Sequence, residues 1–165
     1  MGLAEREASA ATFVQSELFA RTFREGMTLV EETANYLDGA GREAARGLSR
    51  SSALAYAGAS MRLTTQLMQI ASWLLVMRAV REGDMTFEEA KDEKFRLKAR
   101  ESFIGDMHEE GLPPALILLA EDSGQLFARI ARLDTELFAD TRSHPAERDA
   151  AAQQRALLDA FGGGF

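Results

Sequence analysis

The segment from Met61 to Arg81 most strongly constrains how this chain can fold, because apolar residues recur on two faces of one helix. A helix with a single buried stripe shows one apolar row at spacings of three and four residues. The first row here is Leu63, Leu67, Ile70, Leu74 and Met77. The second row is Leu54, Ala57, Met61, Met68, Leu75 and Ala79. The pattern therefore predicts a central helix that is covered on more than one side.

The composition sets the broad class of the protein. The length of 165 residues fits one domain, and the lack of cysteine excludes disulfides and thiolate metal sites. The net charge of −7 has the wrong sign for an electrostatic grip on nucleic acid. No secretory signal is visible, and polar residues interrupt the central apolar segment, so it is too polar for a membrane span. We expect a cytoplasmic protein with no direct nucleic-acid binding and no membrane insertion.

The first third of the chain predicts one long helix after a flexible start. Residues 1–12 are rich in Ala, Glu and Ser and are expected to fray. A helix is predicted from Phe13 to Asp38, with Gly26 inside it as a weak point that costs about 1 kcal/mol relative to Ala. Its apolar row is Phe19, Phe23, Met27, Val30, Ala34 and Leu37. A further helical turn is expected within residues 42–48.

The central helix is predicted from Ser51 to Glu82. Serines at 49, 51 and 52 are candidate caps, and Gly83 suits the helix end. Thr86-Phe-Glu-Glu89 then has the pattern of a capping box, and it predicts a short charged helix to about Lys98. Residues 82–110 hold ten acidic and five basic residues, so this connection is interpreted either as a solvated crossover or as an acidic docking surface.

The last main helix is predicted to start at Gly111-Leu-Pro-Pro114 and to end near Phe138. Its apolar row alternates spacings of four and three: Leu112, Leu116, Leu119, Ser123, Leu126, Ile130, Leu133 and Leu137. The one polar member is Ser123, whose hydroxyl is expected to return to its own helix. Residues 140–165 are expected to form a flexible tail, with a weak helix over 148–161 when bound. The predicted fold is all-α: an antiparallel three-helix bundle over residues 13–139, with a short charged helix in the second connection.

No set of residues points to catalysis. The two histidines, His108 and His144, have no ligand partner at helical spacing, and no phosphate loop or nucleophile elbow is present. We therefore predict no catalytic residue, no cofactor and no metal. A ligand- or metal-binding bundle enzyme stays open as an alternative, and it would have to use the polar residues Thr64, Thr65, Gln69, Ser72 and Ser123.

Several separated motifs of the chain resemble one known family. The central part contains Ser60-Met-Arg-Leu-Thr-Thr-Gln-Leu-Met-Gln69, then Ser72-Trp-Leu-Leu75 and Glu82-Gly-Asp-Met-Thr86. Glu31-Glu-Thr-Ala34 and Tyr36-Leu-Asp-Gly39 precede it, and Arg129-Ile130 and Arg132-Leu-Asp134 follow it. In this order these motifs resemble the alphaproteobacterial RcdA family, which is named for regulating degradation of the cell-cycle regulator CtrA.

The resemblance implies a function that composition and spacing do not. It implies a non-enzymatic adaptor that links substrates to the ClpXP protease together with CpdR and PopA, and that forms a homodimer with a three-helix bundle fold. A helical structural or interaction protein with no role in proteolysis is the alternative.

The second apolar face of the central helix suggests where partners bind. We hypothesise that it is buried in a homodimer or presented to a partner, with Trp73, Val76, Met77, Arg78 and Arg81 at its rim. For Trp73 and Met77 the competing interpretation is plain core packing.

Overall fold

The computed structural model describes residues 2–98 and 111–138, and within these ranges the chain is helical and contains no strand. The predicted all-α fold is confirmed. The α-helices are α1 (Leu3–Val14), α2 (Glu17–Asp38), α3 (Ala40–Arg46), α4 (Arg50–Glu82), α5 (Phe87–Ala90) and α6 (Pro114–Phe138), with a 3-10 turn at Glu93–Phe95.

The N-terminal segment is a helix that packs on the core, where the sequence predicted a fraying stretch. Ala10 and Val14 are buried, and the Phe13 ring lies 6.3 Å from the Trp73 ring, centroid to centroid. Helix α1 ends at Val14. The Ser16 hydroxyl then caps α2 by accepting a hydrogen bond from the amide of Phe19. The first long helix therefore begins at Glu17 and not at Phe13, because a good cap interrupts the pattern.

Helices α2 and α4 run antiparallel and cross closely at Gly26. Before α2, the Gln15 side-chain amide donates to the carbonyl of Arg81 at the end of α4. At mid-helix, a Cβ on Gly26 would lie 2.4 Å from Leu74 Cδ1. Gly26 thus lets the two helices approach closely. This close approach explains why a glycine, which is unfavourable inside a helix, occupies this position.

The buried face of α2 differs from the predicted row. The fully buried residues of α2 are Phe19, Thr22, Gly26, Leu29 and Thr33. Of the predicted row, only Phe19 is fully buried; Phe23, Met27, Val30 and Leu37 lie half-buried at its flank, and Ala34 is exposed. Relative to the predicted orientation, α2 is rotated about its own axis, because Gly26, and not a large side chain, faces α4.

Helices α4 and α6 run in the same direction, which corrects the antiparallel arrangement predicted for all three long helices. Ser52 lies against Gly111, Gln66 bonds Ser123, and Trp73 bonds Asp134, so contacts advance along both helices together. The connection from Gly83 to Pro113 is long enough to return the chain to the start of α4. Antiparallel packing therefore holds for α2 with α4 but not for α4 with α6.

The connection after α4 contains less helix than predicted. Gly83 ends α4 in the left-handed conformation, with φ of 81°, and the capping box of Thr86 and Glu89 is confirmed. Helix α5, however, ends at Ala90, and no helix extends to Lys98. The chain turns instead so that Arg96 and Leu97 become buried. The predicted tail, 140–165, lies outside the described residues.

Candidate interaction surface

The most unusual surface of the described chain is an apolar ridge along α4. Four large side chains stand seven residues apart on one helix face: Leu54, Met61, Met68 and Leu75. They are 71%, 72%, 67% and 52% exposed. Such a contiguous exposed apolar row is typical of a protein–protein contact. We call these four residues the α4 ridge.

The residues around the ridge add no charge along most of its length. Ala57, Thr64, Ala71, Ser72 and Ala79 lie beside it on the same helix. The hydroxyl of Thr64 donates to the carbonyl of Ser60 at 2.8 Å, so it bonds its own helix. The ridge is therefore suited to bind an apolar partner surface.

The charge of α4 is opposite to that of the whole chain. The helix contains four arginines, Arg50, Arg62, Arg78 and Arg81, and one acid, Glu82, while the chain has a net charge of −7. The ridge therefore lies on the most basic long helix of an acidic protein, where partners with acidic flanks are favoured.

A groove of about 660 Å³ runs along one side of the ridge, between α4 and the 3-10 turn. Met68, Leu75 and Val76 form its α4 wall, and Phe95 and Leu97 form the opposite wall. Lys94 and Lys98 line its edge and are exposed. We call this recess the side groove; it is apolar inside and basic at the rim.

A second, smaller groove of about 280 Å³ lies on the other side of the ridge, between α2 and α4. Val30, Leu37, Leu67 and Met68 contribute its apolar lining, and Thr33 lies at its base with a buried hydroxyl. Met68 borders both grooves, so it is the central residue of the whole surface.

The wall of the side groove is held by a buried polar network. The indole Nε1 of Trp73 donates to Asp134 Oδ1 at 2.9 Å, and Arg96 Nη1 donates to the same oxygen. The guanidinium of Arg96 also lies over the Phe138 ring, 3.3 Å from its centroid, and donates to the carbonyl of Ala90. This network fixes Arg96, directly after the 3-10 turn, to the last two turns of α6.

The structure separates the five residues predicted at the rim. Trp73 and Met77 are buried, 1% and 0% exposed, so neither forms a rim: Met77 belongs to the core, and Trp73 lies at the back of the side groove. Helix α1 and the Arg96–Asp134 pair cover Trp73, and neither covering element was anticipated from the sequence. Val76 is half-buried in the side groove, and Arg78 and Arg81 are exposed.

Arg78 has structural partners of its own. Its Nε donates to Glu82 at 2.9 Å, and its guanidinium lies 5.4 Å from the centroid of the Phe23 ring. The exposed apolar face is therefore centred on Met61 and Met68, which belong to the second row seen in the sequence, and not on Trp73.

The five polar residues required by the enzyme alternative do not share one site. Ser123 donates to Gln66 Oε1 at 2.7 Å in the interior, which corrects the expectation that its hydroxyl returns to its own helix. Thr65, Gln69 and Ser72 line the side groove, while Thr64 lines the smaller groove, and the hydroxyls of both threonines donate to carbonyls of their own helix. Among the described residues, no group of three His, Asp or Glu side chains could hold a metal ion.

Within residues 2–98 and 111–138, none of the helices combines the length and apolarity that crossing a membrane requires.

Comparison with known proteins identifies the family. The chain matches the family described as "Protein of unknown function (DUF1465)" over residues 10–161. It is also similar to the crystal structure of RcdA from Caulobacter crescentus CB15, with 52% sequence identity and a TM-score of 0.66. That match covers 78% of this chain and 98% of the other. The chain belongs to the RcdA family. The resemblance seen in the separated sequence motifs is confirmed. Among proteins of curated function, none matches.

Proposed function

We propose that this protein is a cytosolic proteolytic adaptor of the RcdA kind. It tethers cell-cycle regulators, such as CtrA-type response regulators, to ClpXP together with CpdR and PopA, and it has no catalytic step of its own. The observation that carries the proposal is the exposed α4 ridge on a chain that is 52% identical to RcdA. An adaptor acts by holding two partners together, which raises the effective concentration of substrate at the protease.

The ridge supports a homodimer in particular. Large apolar side chains at seven-residue spacing form one column of a helix–helix seam, as in a coiled coil. From Leu54 to Leu75 the ridge is roughly 32 Å long, at 1.5 Å per residue. Two copies related by a two-fold axis would bring the same patch together on both subunits.

Light scattering at several concentrations tests the dimer. Met68→Glu places a charge at the centre of the ridge without touching the core, and it should shift the protein to a monomer. Leu118→Glu is the matched control, because Leu118 is also a large exposed apolar residue, 59% exposed, but lies on α6. A wild-type protein that stays monomeric throughout, or a Leu118→Glu effect equal to that of Met68→Glu, would reject the ridge as the dimer surface.

A reconstituted degradation assay tests the adaptor function. Turnover of a CtrA-type substrate by ClpXP with CpdR and PopA should accelerate when the wild-type protein is added. The Leu118→Glu variant should accelerate it equally. If no candidate substrate is degraded faster, the alternative remains: a helical interaction protein with no role in proteolysis.

A further inference from the structure

We propose that the side groove is a docking site for the chain's own C-terminal segment, residues 155–161. The sequence there is Arg-Ala-Leu-Leu-Asp-Ala-Phe. Leu157, Leu158 and Phe161 are spaced to share one face of a helical turn. This inference goes beyond the proposed function and does not depend on it.

The position of the groove favours this occupant. Trp73 and Arg96 line the groove and both bond Asp134, and Arg96 also lies over Phe138, so both are joined to the last two turns of α6. The described chain ends at Phe138, so the tail begins next to the groove wall. Residues 139–154 could extend to roughly 50 Å, which is more than enough to reach any part of the groove.

The chemistry of the groove also fits the segment. The recess offers Met68, Leu75 and Phe95 to apolar side chains, and a short amphipathic helix binds such a groove through anchors at helical spacing. Lys98 at the edge is exposed and can face Asp159, which is the one acid among residues 155–161.

Two further observations distinguish the tail from other occupants. The family match extends to residue 161, which is the last apolar residue of this segment, so the family pattern includes it. The segment is also covalently joined to α6 through residues 139–154, and a tether of this kind gives a local concentration on the order of millimolar, well above that of a free partner.

Docking of the tail has one consequence, and this consequence rests on the proposed function. Met68 and Leu75 belong both to the side groove and to the α4 ridge. A docked tail therefore excludes a second copy from part of the ridge. Because both copies must be undocked, the apparent dimer dissociation constant should be raised by the square of the reciprocal of the undocked fraction.

Paramagnetic relaxation in the full-length chain tests the docking. The chain has no cysteine and a single tryptophan, so Gly162→Cys accepts one nitroxide label and Trp73 gives one indole signal. We expect loss of the Trp73 indole signal and the Met68 methyl signal, with recovery when the nitroxide is reduced. Leu157→Ser with Leu158→Ser should restore both signals, whereas the matched pair Gln153→Ser with Gln154→Ser should not.

Three results would overturn the proposal. One is retention of both signals in the labelled protein, and another is their loss even with the two leucines replaced. The third is their loss only when nitroxide-labelled chains are mixed with isotope-labelled, cysteine-free chains, because the segment would then dock in a second copy.

Light scattering on the Leu157→Ser/Leu158→Ser protein tests the competition separately, and tighter dimerisation than in wild type is expected. An unchanged constant overturns the competition. A protein that never dimerises counts against the proposed ridge interface, while the relaxation result alone decides on tail docking.

Discussion

The indole of Trp73 and the carboxylate of Asp134 are hydrogen-bonded at 2.9 Å in the interior, where each residue is 1% exposed. Arg96, 6% exposed, forms an ion pair with the same carboxylate. One acid therefore connects α4, α6 and the turn after α5. A buried carboxylate is tolerated only when it is paired and hydrogen-bonded, as here.

Removal of the acid should destabilise the protein strongly. Asp134→Ala takes the carboxylate away from a buried guanidinium and from the Trp73 N–H. Breaking a buried pair on one side costs about 3–5 kcal/mol, because the remaining charge is left poorly compensated. Urea unfolding followed by Trp73 fluorescence measures this loss in the free energy of unfolding.

The control is an ion pair on the surface of α4. Arg78 and Glu82 are 2.9 Å apart, with side chains that are 50% and 48% exposed. Arg78→Ala should therefore cost less than about 1 kcal/mol. Equal losses in the free energy of unfolding for Asp134→Ala and Arg78→Ala would show that the buried Asp134 network stabilises the protein no more than a surface ion pair does.

The sequence predicted the helices of the core better than it predicted this network. The rows on the central and last helices identified the buried residues Leu63, Ile70, Leu126 and Ile130. Asp134 and Arg96 could not be found this way, because a charge beside an apolar row has the pattern of an exposed flank. Asp134 and Arg96 can be buried only because the fold brings them together as an ion pair.

Gly26 provides a second prediction, in which packing opposes helix propensity. Alanine at a mid-helix position is favoured over glycine by about 1 kcal/mol. A methyl group at Gly26 would, however, lie 2.4 Å from Leu74 Cδ1, in a fully buried contact. Overpacking costs about 1–3 kcal/mol, so Gly26→Ala should destabilise the protein in thermal unfolding.

Gly58 is the matched control for Gly26. It also lies inside a long helix, but its nearest neighbour to an added Cβ is the end of the Arg62 side chain at 3.3 Å. Gly58→Ala should therefore stabilise the protein by about 0.5–1 kcal/mol. A stabilising Gly26→Ala would mean that α2 and α4 separate easily at their crossing.

The direction of the last helix could not be predicted from the sequence either. A long connection can bring the chain back to either end of the bundle. The spacing of apolar residues is the same whichever direction the helix runs, so it does not predict that direction. The parallel arrangement depends on contacts such as Gln66 with Ser123, which join residues 57 positions apart. Similarly, α1 packs through small residues such as Ala10, which give a weak apolar signal.

Truncation of Leu126 tests the buried face of α6. Leu126 is 0% exposed in the middle of the predicted row. Leu126→Ala removes its side chain from the core and should cost about 2–5 kcal/mol in chemical unfolding. Leu118→Ala is the control on the exposed side of the same helix, and it should change stability by less than about 0.5 kcal/mol. If Leu126→Ala lowers the stability as little as the control does, the face of α6 that contains Leu126 is not the buried one.

The capping box at α5 gives a prediction in pH. The backbone N–H of Thr86 donates to Glu89 Oε2 at 2.8 Å and its hydroxyl donates at 3.1 Å, and these bonds lower the pKa of the Glu89 carboxyl. Because the folded pKa lies below the ordinary value of about 4.3, the box contributes its full stability above that pH. Its contribution is lost as the pH falls through the folded pKa.

An NMR titration of the Glu89 carboxyl tests the box. The wild-type protein should show a lowered pKa for Glu89. In Thr86→Ala this pKa should rise part of the way to the ordinary value, since the backbone donor remains. Thr135→Ala, whose hydroxyl bonds only its own helix, should leave the Glu89 pKa unchanged. An ordinary Glu89 pKa in the wild-type protein would contradict the box.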